Sequence, residues 1–206
     1  MGKPFIPGLA ALLFALAGLA QAQPDAELKP GLYAVFDTPQ GSFTAVLYEK
    51  YTPLAVNNFV GLATGVKPWW DPKVKGWVKR AMFNGITFHR IVREEMIQSG
   101  DPTGLGTHNC GFTIRDEFLP GLMFDRPGRL AVANTGKPDS GACQFFITDQ
   151  AVPSWNNKYT IFGQVVSGQA VVSKLNRVRT VGEKPVEPVL LNRVTIRRVV
   201  KAASAR

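Results

Sequence analysis

Short runs in which apolar and polar residues alternate, separated by Gly, Pro, Asn or Asp, make up most of this chain. A period of two over four to eight residues predicts half-buried strands. Tyr33 to Asp37 and Phe43 to Tyr48 read as a hairpin turning at Thr38-Pro39-Gln40-Gly41. Further strands are expected at Ile86 to Ile91, Met96 to Ser99, Phe112 to Ile114, Leu130 to Asn134, Phe145 to Thr148, Thr160 to Val166 and Leu190 to Val200. The period changes to that of a helix twice. Thr52-Pro53 opens one helix, with an N-cap and then proline at its first position; Val56, Phe59, Val60 and Ala63 form its stripe and Gly65 stops it. Gly168 to Val178 carries a second stripe at Val171, Val172, Leu175 and Val178. From Gly65 to Met82 the pattern lapses into a loop rich in Pro, Lys and Trp. Its Trp69, Trp70 and Trp77 read as a recognition surface or, the commoner fate, as anchors pinning the loop to the domain. The whole pattern is that of an all-β domain with eight or nine strands and two helices.

Residues 1–22 stand apart. Lys3 is their one charge, Leu9 to Leu19 is apolar, and Ala20-Gln21-Ala22 offers small residues before a cut. This reads as a secretory signal peptide, too short in its apolar run to span a bilayer. Residues 23–30 follow as a linker, 31–200 as one domain and 201–206 as a basic tail. The formal net charge of +9 is dispersed, with some clustering at Arg193, Arg197, Arg198, Lys201 and Arg206. No aromatic residues interleave with that cluster, so a nucleic-acid platform is not expected, and any pull on acidic clients or anionic lipid is unspecific. The two cysteines, Cys110 and Cys143, allow one disulfide, and sequence leaves open whether they are bridged or free. Two histidines without clustered ligand spacing argue against a metal site. Ser99 and Ser140 lack a glycine elbow, which argues against acyl transfer.

Within Ile86 to Ile91, alternation puts Arg90 on one face with Ile86 and Phe88. Arginine in such company ordinarily snorkels to water at a sheet edge. The surrounding motif changes that reading. Phe88-His89-Arg90-Ile91-Val92, followed without a gap by Met96, Gln98, Gly100 and Asp101, resembles the signature of the cyclophilin-type peptidyl-prolyl cis-trans isomerases. Leu130 to Asn134, Gly141, Gln144 to Ile147 and Phe162-Gly163 extend the resemblance from Gly31 to Val200. With the leader, the chain reads as an exported bacterial member.

The resemblance implies a closed eight-stranded antiparallel β-barrel capped by two α-helices, needing no cofactor and no metal. Arg90 then matches the catalytic arginine, and Gln98 the glutamine that holds it and the substrate backbone. Asn134 matches a residue whose backbone grips the peptide, and Met96 and Phe146 match the proline pocket. Trp155 stands at the adjacent pocket position and Tyr159 where many relatives carry histidine. Cys110 and Cys143 fall in loops at one end of the groove. Glu95 departs from the pattern, standing where relatives carry phenylalanine; it is expected to weaken the pocket and to be able to pair with Arg90. The function implied is isomerisation of X-Pro bonds in exported proteins, by a periplasmic monomer acting on unfolded or extended proline-containing chains. The alternative is a non-catalytic chaperone or scaffold module gripping proline segments on the same fold.

Overall fold

The structure is a computed structural model and describes residues 28–201. The leader reading on residues 1–22 lies outside the described residues, as do 23–27 of the linker and 202–206 of the tail.

The first hairpin forms as the alternation predicts. β1 (Gly31–Thr38) pairs with β2 (Gly41–Leu47), and Phe36 and Phe43 oppose each other and stack at 4.6 Å. α1 (Pro53–Thr64) begins at its proline and ends at Gly65, whose φ of 78° suits glycine. Thr52 makes no side-chain cap. The N–H groups of Leu54 and Ala55 instead donate to the Glu117 carboxylate at 3.1 and 2.9 Å, so a distant acid does what the local residue was expected to do.

The presumed loop after α1 contains a hairpin of its own, β3 (Trp69–Asp71) against β4 (Gly76–Val78). Strands of three residues are too short for alternation to register. Trp69 is buried and serves as the anchor, whereas Trp70 and Trp77 stay exposed.

The run Ile86 to Ile91 is not one strand. It breaks into β5 (Ile86–Thr87) and β6 (Arg90–Val92). Ile86, Phe88 and Ile91 are buried while Arg90 is exposed, so the alternation slips by one place at His89. Arg90 therefore does not share a face with Phe88.

β7 (Met96–Ser99), β8 (Arg129–Val132) and β9 (Phe145–Thr148) follow, but Phe112 to Ile114 yields only a single bridge, Ile114 to Gly141. β10 (Ile161–Ser167) leads to α2 (Gln169–Asn176), and then come β11 (Thr180–Val181) and β12 (Lys184–Pro185). The expected last strand is divided at Asn192 into β13 (Leu190–Leu191) and β14 (Arg193–Val199).

Eight of these strands form one curled sheet in the order β14-β1-β2-β10-β8-β9-β7-β6, every described pairing being antiparallel. The closed barrel is not realised: β14 and β6 remain edges. The breaks at Phe88-His89 and at Asn192 divert β5 and β13 into a two-residue ladder of their own. The seam is stitched instead by separate backbone bonds, Gly85 N–H to the Leu191 and Asn192 carbonyls, Phe88 N–H to Val189 and Ile91 N–H to Glu183. The β6 edge is met by the β11–β12 turn through the Ile91 bond to Glu183, which meets part of the same need as closure.

The concave face holds the main core. Phe36, Phe43, Phe59, Phe83, Phe145 and Phe162 meet there, joined by Leu62 of α1 and by Val172 and Leu175 of α2. Both helices thus bury their apolar stripes against one sheet face.

Candidate active site

The strands β7, β8 and β9 are buried on both faces, and the second face builds the site. Ile97, Leu130, Phe145 and Ile147 point into the main core. Their neighbours Met96, Ala131 and Phe146 point the other way, into a smaller cluster with Phe124, Val152 and Ile161. Across this outer face the register aligns one row. Arg90 is opposite Gln98, Gln98 opposite Phe146, and Phe146 opposite Ala131. Opposed residues project to the same side, so cation, amide, aromatic ring and methyl stand in line over four strands.

Every residue that the sequence singled out for the groove lines one cavity of about 310 Å³: Arg90, Gln98, Met96, Asn134, Phe146, Trp155, Tyr159 and Glu95. Met96 and Phe146 form a buried floor, 2% and 3% exposed. Trp155 and Tyr159 stand nearly perpendicular to the Phe146 ring, with centroids 5.3 and 5.1 Å away, and Phe124 stacks beneath it at 5.8 Å. Edge-on rings on a stacked base make a stiff apolar wall. Phe124 was not foreseen, because it lies in an irregular stretch without periodicity.

The polar side of the cavity is a relay of hydrogen bonds. Arg90 donates from Nη1 to Gln98 Oε1 at 3.1 Å and from Nε to Glu183 Oε2 at 2.5 Å. Gln98 Nε2 donates to Gln144 Oε1 at 2.8 Å, and Gln144 Nε2 donates to the carbonyls of Gly106 and His108 at 3.0 and 2.9 Å. The two amides are thereby fixed in orientation, and among the described residues the guanidinium is bonded through Nε and Nη1, with no partner at Nη2. Glu183 escaped the sequence reading. It belongs to the β11–β12 turn, far along the chain, and no motif marks it. The carboxylate expected beside Arg90 was Glu95; Glu95 lines the cavity half-buried but forms no ion pair with Arg90, whose guanidinium Glu183 already holds.

Asn134 spends its side chain on its own loop. Nδ2 donates to the Lys158 carbonyl at 2.8 Å and Oδ1 accepts from Gly136 N–H at 3.0 Å. Its backbone N–H and C=O have no partner among the described residues, which leaves them to face a bound chain. Asn134, Ala133 and Gln98 also border a second cavity of about 310 Å³, bounded by Gly106, His108, Ser140 and Gln144. The two cavities form a groove with Gln98 between them.

The far wall of the groove is held by two devices. Asp101, fully buried, accepts from the Thr103 N–H at 2.7 Å, the Thr103 hydroxyl at 2.6 Å and the His108 N–H at 3.1 Å. Burial works to raise its carboxyl, but these hydrogen bonds outweigh it and hold the group below the usual carboxylate range. Cys110 and Cys143 are bridged, with Cα atoms 6.2 Å apart, and tie this loop to the segment carrying Gln144. Gly100, at φ 94°, ends β7 where any side chain would strike the Cys143 carbonyl oxygen and the Gln144 Cα.

An apolar pocket beside an oriented guanidinium, with free backbone groups along its rim, suits an extended peptide carrying a proline ring. Known proteins agree. The family described as "Cyclophilin type peptidyl-prolyl cis-trans isomerase/CLD" matches residues 33–196. The chain is similar to "Peptidyl-prolyl cis-trans isomerase A" of Mycobacterium tuberculosis, 39% identical over 166 residues that cover 79% of this chain and 91% of the relative. It is 37% identical to "Peptidyl-prolyl cis-trans isomerase B" of Streptomyces anulatus, over 80% of this chain and 96% of that one. The crystal structure of a cyclophilin-type isomerase from Cryptosporidium parvum superposes with a TM-score of 0.70 at 27% identity, covering 82% of this chain and 98% of the other. A further structure of that protein was obtained in the presence of the dipeptide Ala-Pro. With the matched motif, the fold and the groove in agreement, this chain belongs to the cyclophilin-type peptidyl-prolyl cis-trans isomerases.

Proposed function

We propose that this isomerase acts in the periplasm on exported polypeptides, with Arg90 as the group that stabilises the twisted X-Pro amide. The activity itself is peptidyl-prolyl cis-trans isomerisation. The chemistry requires neither nucleophile nor metal. Rotation must break amide resonance, a barrier of roughly 18–20 kcal/mol, and in the twisted state the proline nitrogen regains its lone pair. An N–H donor aimed at that nitrogen binds the transition state and not the planar ground state, which is the condition for catalysis.

The observation that carries this reading is the row Arg90, Gln98, Phe146 across β6, β7 and β9. It sets a hydrogen-bonded guanidinium beside the buried apolar floor of Met96 and Phe146. Phe146 and Met96 take the ring, Trp155 and Tyr159 flank it, and Asn134 supplies backbone groups to the peptide. Gln98 orients Arg90. Glu95 places a carboxylate at the pocket edge where a related enzyme has an aromatic ring, which lowers apolar grip on substrate. The groove residues all come from one chain, which supports a monomer, and its proposed role is to assist folding. Export is supported by the leader-like residues 1–22 and by the Cys110–Cys143 bridge, a bond suited to an oxidising compartment.

The test is a protease-coupled isomerisation assay on a short X-Pro peptide. The chain from Gln23 onward accelerates the cis-to-trans step and Arg90→Ala loses at least a hundredfold, about 2.7 kcal/mol of transition-state stabilisation. A wild-type protein that binds the peptide without turning it over would replace this reading with that of a binding module.

A further inference from the structure

The β3–β4 hairpin presents a surface that the groove does not use. Trp70 and Trp77 are opposed across its two strands and project to the same side. Their rings meet edge-on at 6.2 Å and remain 37% and 56% exposed. Val74 at the turn is 61% exposed, and Val66, just before the hairpin, 75%. Lys73, Lys75 and Lys79 stand exposed among them. The one acid between Val66 and Arg80 is Asp71, which is fully buried and ion-paired with Arg80. Ser, Thr, Asn, Gln and Glu do not occur in the segment at all. The exposed side chains are therefore apolar or cationic and of no other kind.

This surface is held rigid. Trp69 is buried beneath it, with Nε1 donating to the Arg80 carbonyl at 3.0 Å. Trp70 N–H donates to the Cys110 carbonyl at 2.9 Å, beside the disulfide. The Trp77 indole lies over Gly111, where an added Cβ would come within 3.0 Å of that ring and of the Trp70 Cβ. Indole rings kept in water by a fixed frame are not core residues that missed their place.

A protein partner ordinarily matches a rim of hydrogen-bonding and mixed-charge groups, and this segment supplies none beyond its lysines. A bilayer surface asks for something simpler: amphipathic rings that settle at headgroup depth, and cations drawn to anionic headgroups. We infer that the β3–β4 hairpin is a membrane-surface anchor, seating Trp70 and Trp77 in the headgroup layer of an anionic phospholipid bilayer with Lys73, Lys75 and Lys79 against the lipid phosphates. The ring of His108 is hydrogen-bonded to the Trp70 carbonyl at 2.8 Å, and His108 borders the second cavity of the groove. Docking by the hairpin thus holds the groove close to the bilayer. The inference stands on the hairpin alone and does not depend on the assignment of catalytic roles.

The experiment uses the chain from Gln23 to Arg206, which contains the whole folded domain, with vesicles of phosphatidylglycerol and phosphatidylcholine or of phosphatidylcholine alone. Binding is read by co-sedimentation and by tryptophan quenching with acyl-brominated lipid. The protein binds the anionic vesicles with quenched emission and leaves the neutral ones free. Each lysine removed weakens partitioning about fivefold, so Lys73→Gln with Lys75→Gln loses about twenty-five-fold. Trp70→Ser with Trp77→Ser removes most of the quenching and at least tenfold of the binding, with isomerase turnover unchanged. Equal binding by the tryptophan double variant would overturn the inference, assigning the attraction to general positive charge. Absence of binding to anionic vesicles would overturn it too, as would retention on an acidic polypeptide in place of vesicles.

Discussion

Glu183 offers the sharpest test of how the guanidinium of Arg90 is put to use. Replacing it with alanine removes the 2.5 Å bond to Nε and leaves Arg90 held by Gln98 alone. The two side chains are 45% and 51% exposed, so solvent screens the pair and its loss costs the fold no more than about 1 kcal/mol. The larger effect is on rate. With one restraint gone, the guanidinium plane turns about its remaining contact, and fixing it again in the transition state costs about 0.5–1.5 kcal/mol. That converts to a fall in kcat/KM of about two- to tenfold. Glu183→Gln keeps an acceptor for Nε without the charge, and recovers turnover to within about twofold of wild type, since the neutral hydrogen bond retains the geometry. Peptide isomerisation is followed for the three proteins with thermal melts alongside. If the carboxylate acted mainly by draining charge from Arg90, both variants would be faster than wild type. A faster pair, or an unchanged Glu183→Ala, would refute the positioning role.

Three other outcomes follow from the geometry. Glu95→Phe adds about 50 Å² of apolar contact for the proline ring, worth about 1.2 kcal/mol and about an eightfold lower KM; an unchanged KM in the peptide assay counts against a pocket role for position 95. Gly100→Ala forces a side chain against the Cys143 and Gln144 backbone at φ 94°, and urea melts show a loss of about 3 kcal/mol or more, whereas a loss below about 1 kcal/mol means the segment yields. Burial pushes His89 below its ordinary value, so its full contribution to stability is present above about pH 6.5 and falls as pH drops below it, because the unfolded chain binds the proton that the folded one resists. Asp101, held low, adds a second loss below about pH 4 as its hydrogen bonds to Thr103 and His108 are surrendered; a His89→Gln variant flattens the upper part of the Tm-against-pH curve and keeps the lower part, and a curve unaltered between pH 7 and about 5 contradicts the assignment.

How much of this was written in the sequence depends on how local each feature is. β7, β9 and α1 were legible to the residue or nearly so, because a run bounded by turn residues or by Pro53 and Gly65 is a local fact. The orientation of Arg90 was not. Alternation assumes one continuous strand, and here the chain changes pairing partner between β5 and β6, so the face flips at His89. Motif resemblance brought Arg90, Gln98 and Phe146 to one site where periodicity left Phe146 as plain core. Their burial is real, but it is in the outer cluster, a distinction that only the sheet's second apolar face makes visible. Glu183 and Glu117 illustrate what stays hidden: each acts on an element 60 or more residues away, Glu183 on Arg90 and Glu117 on the first turn of α1. Sheet closure failed for a related reason, since whether two edges meet is decided by breaks at single residues and not by the number of strands.

The row from Arg90 through Gln98 and Phe146 to Ala131 also bears on how the enzyme matures. Its members come from four strands, of which β6 and β7 are neighbours in the chain while β8 and β9 lie 30 or more residues beyond them, and three ladders must settle before they align. A slip of one residue in any ladder turns a side chain to the opposite face and dismantles the row. No partly assembled molecule can then be partly active. Turnover counts fully registered molecules, so during refolding this isomerase reports its own completion and stays silent until then.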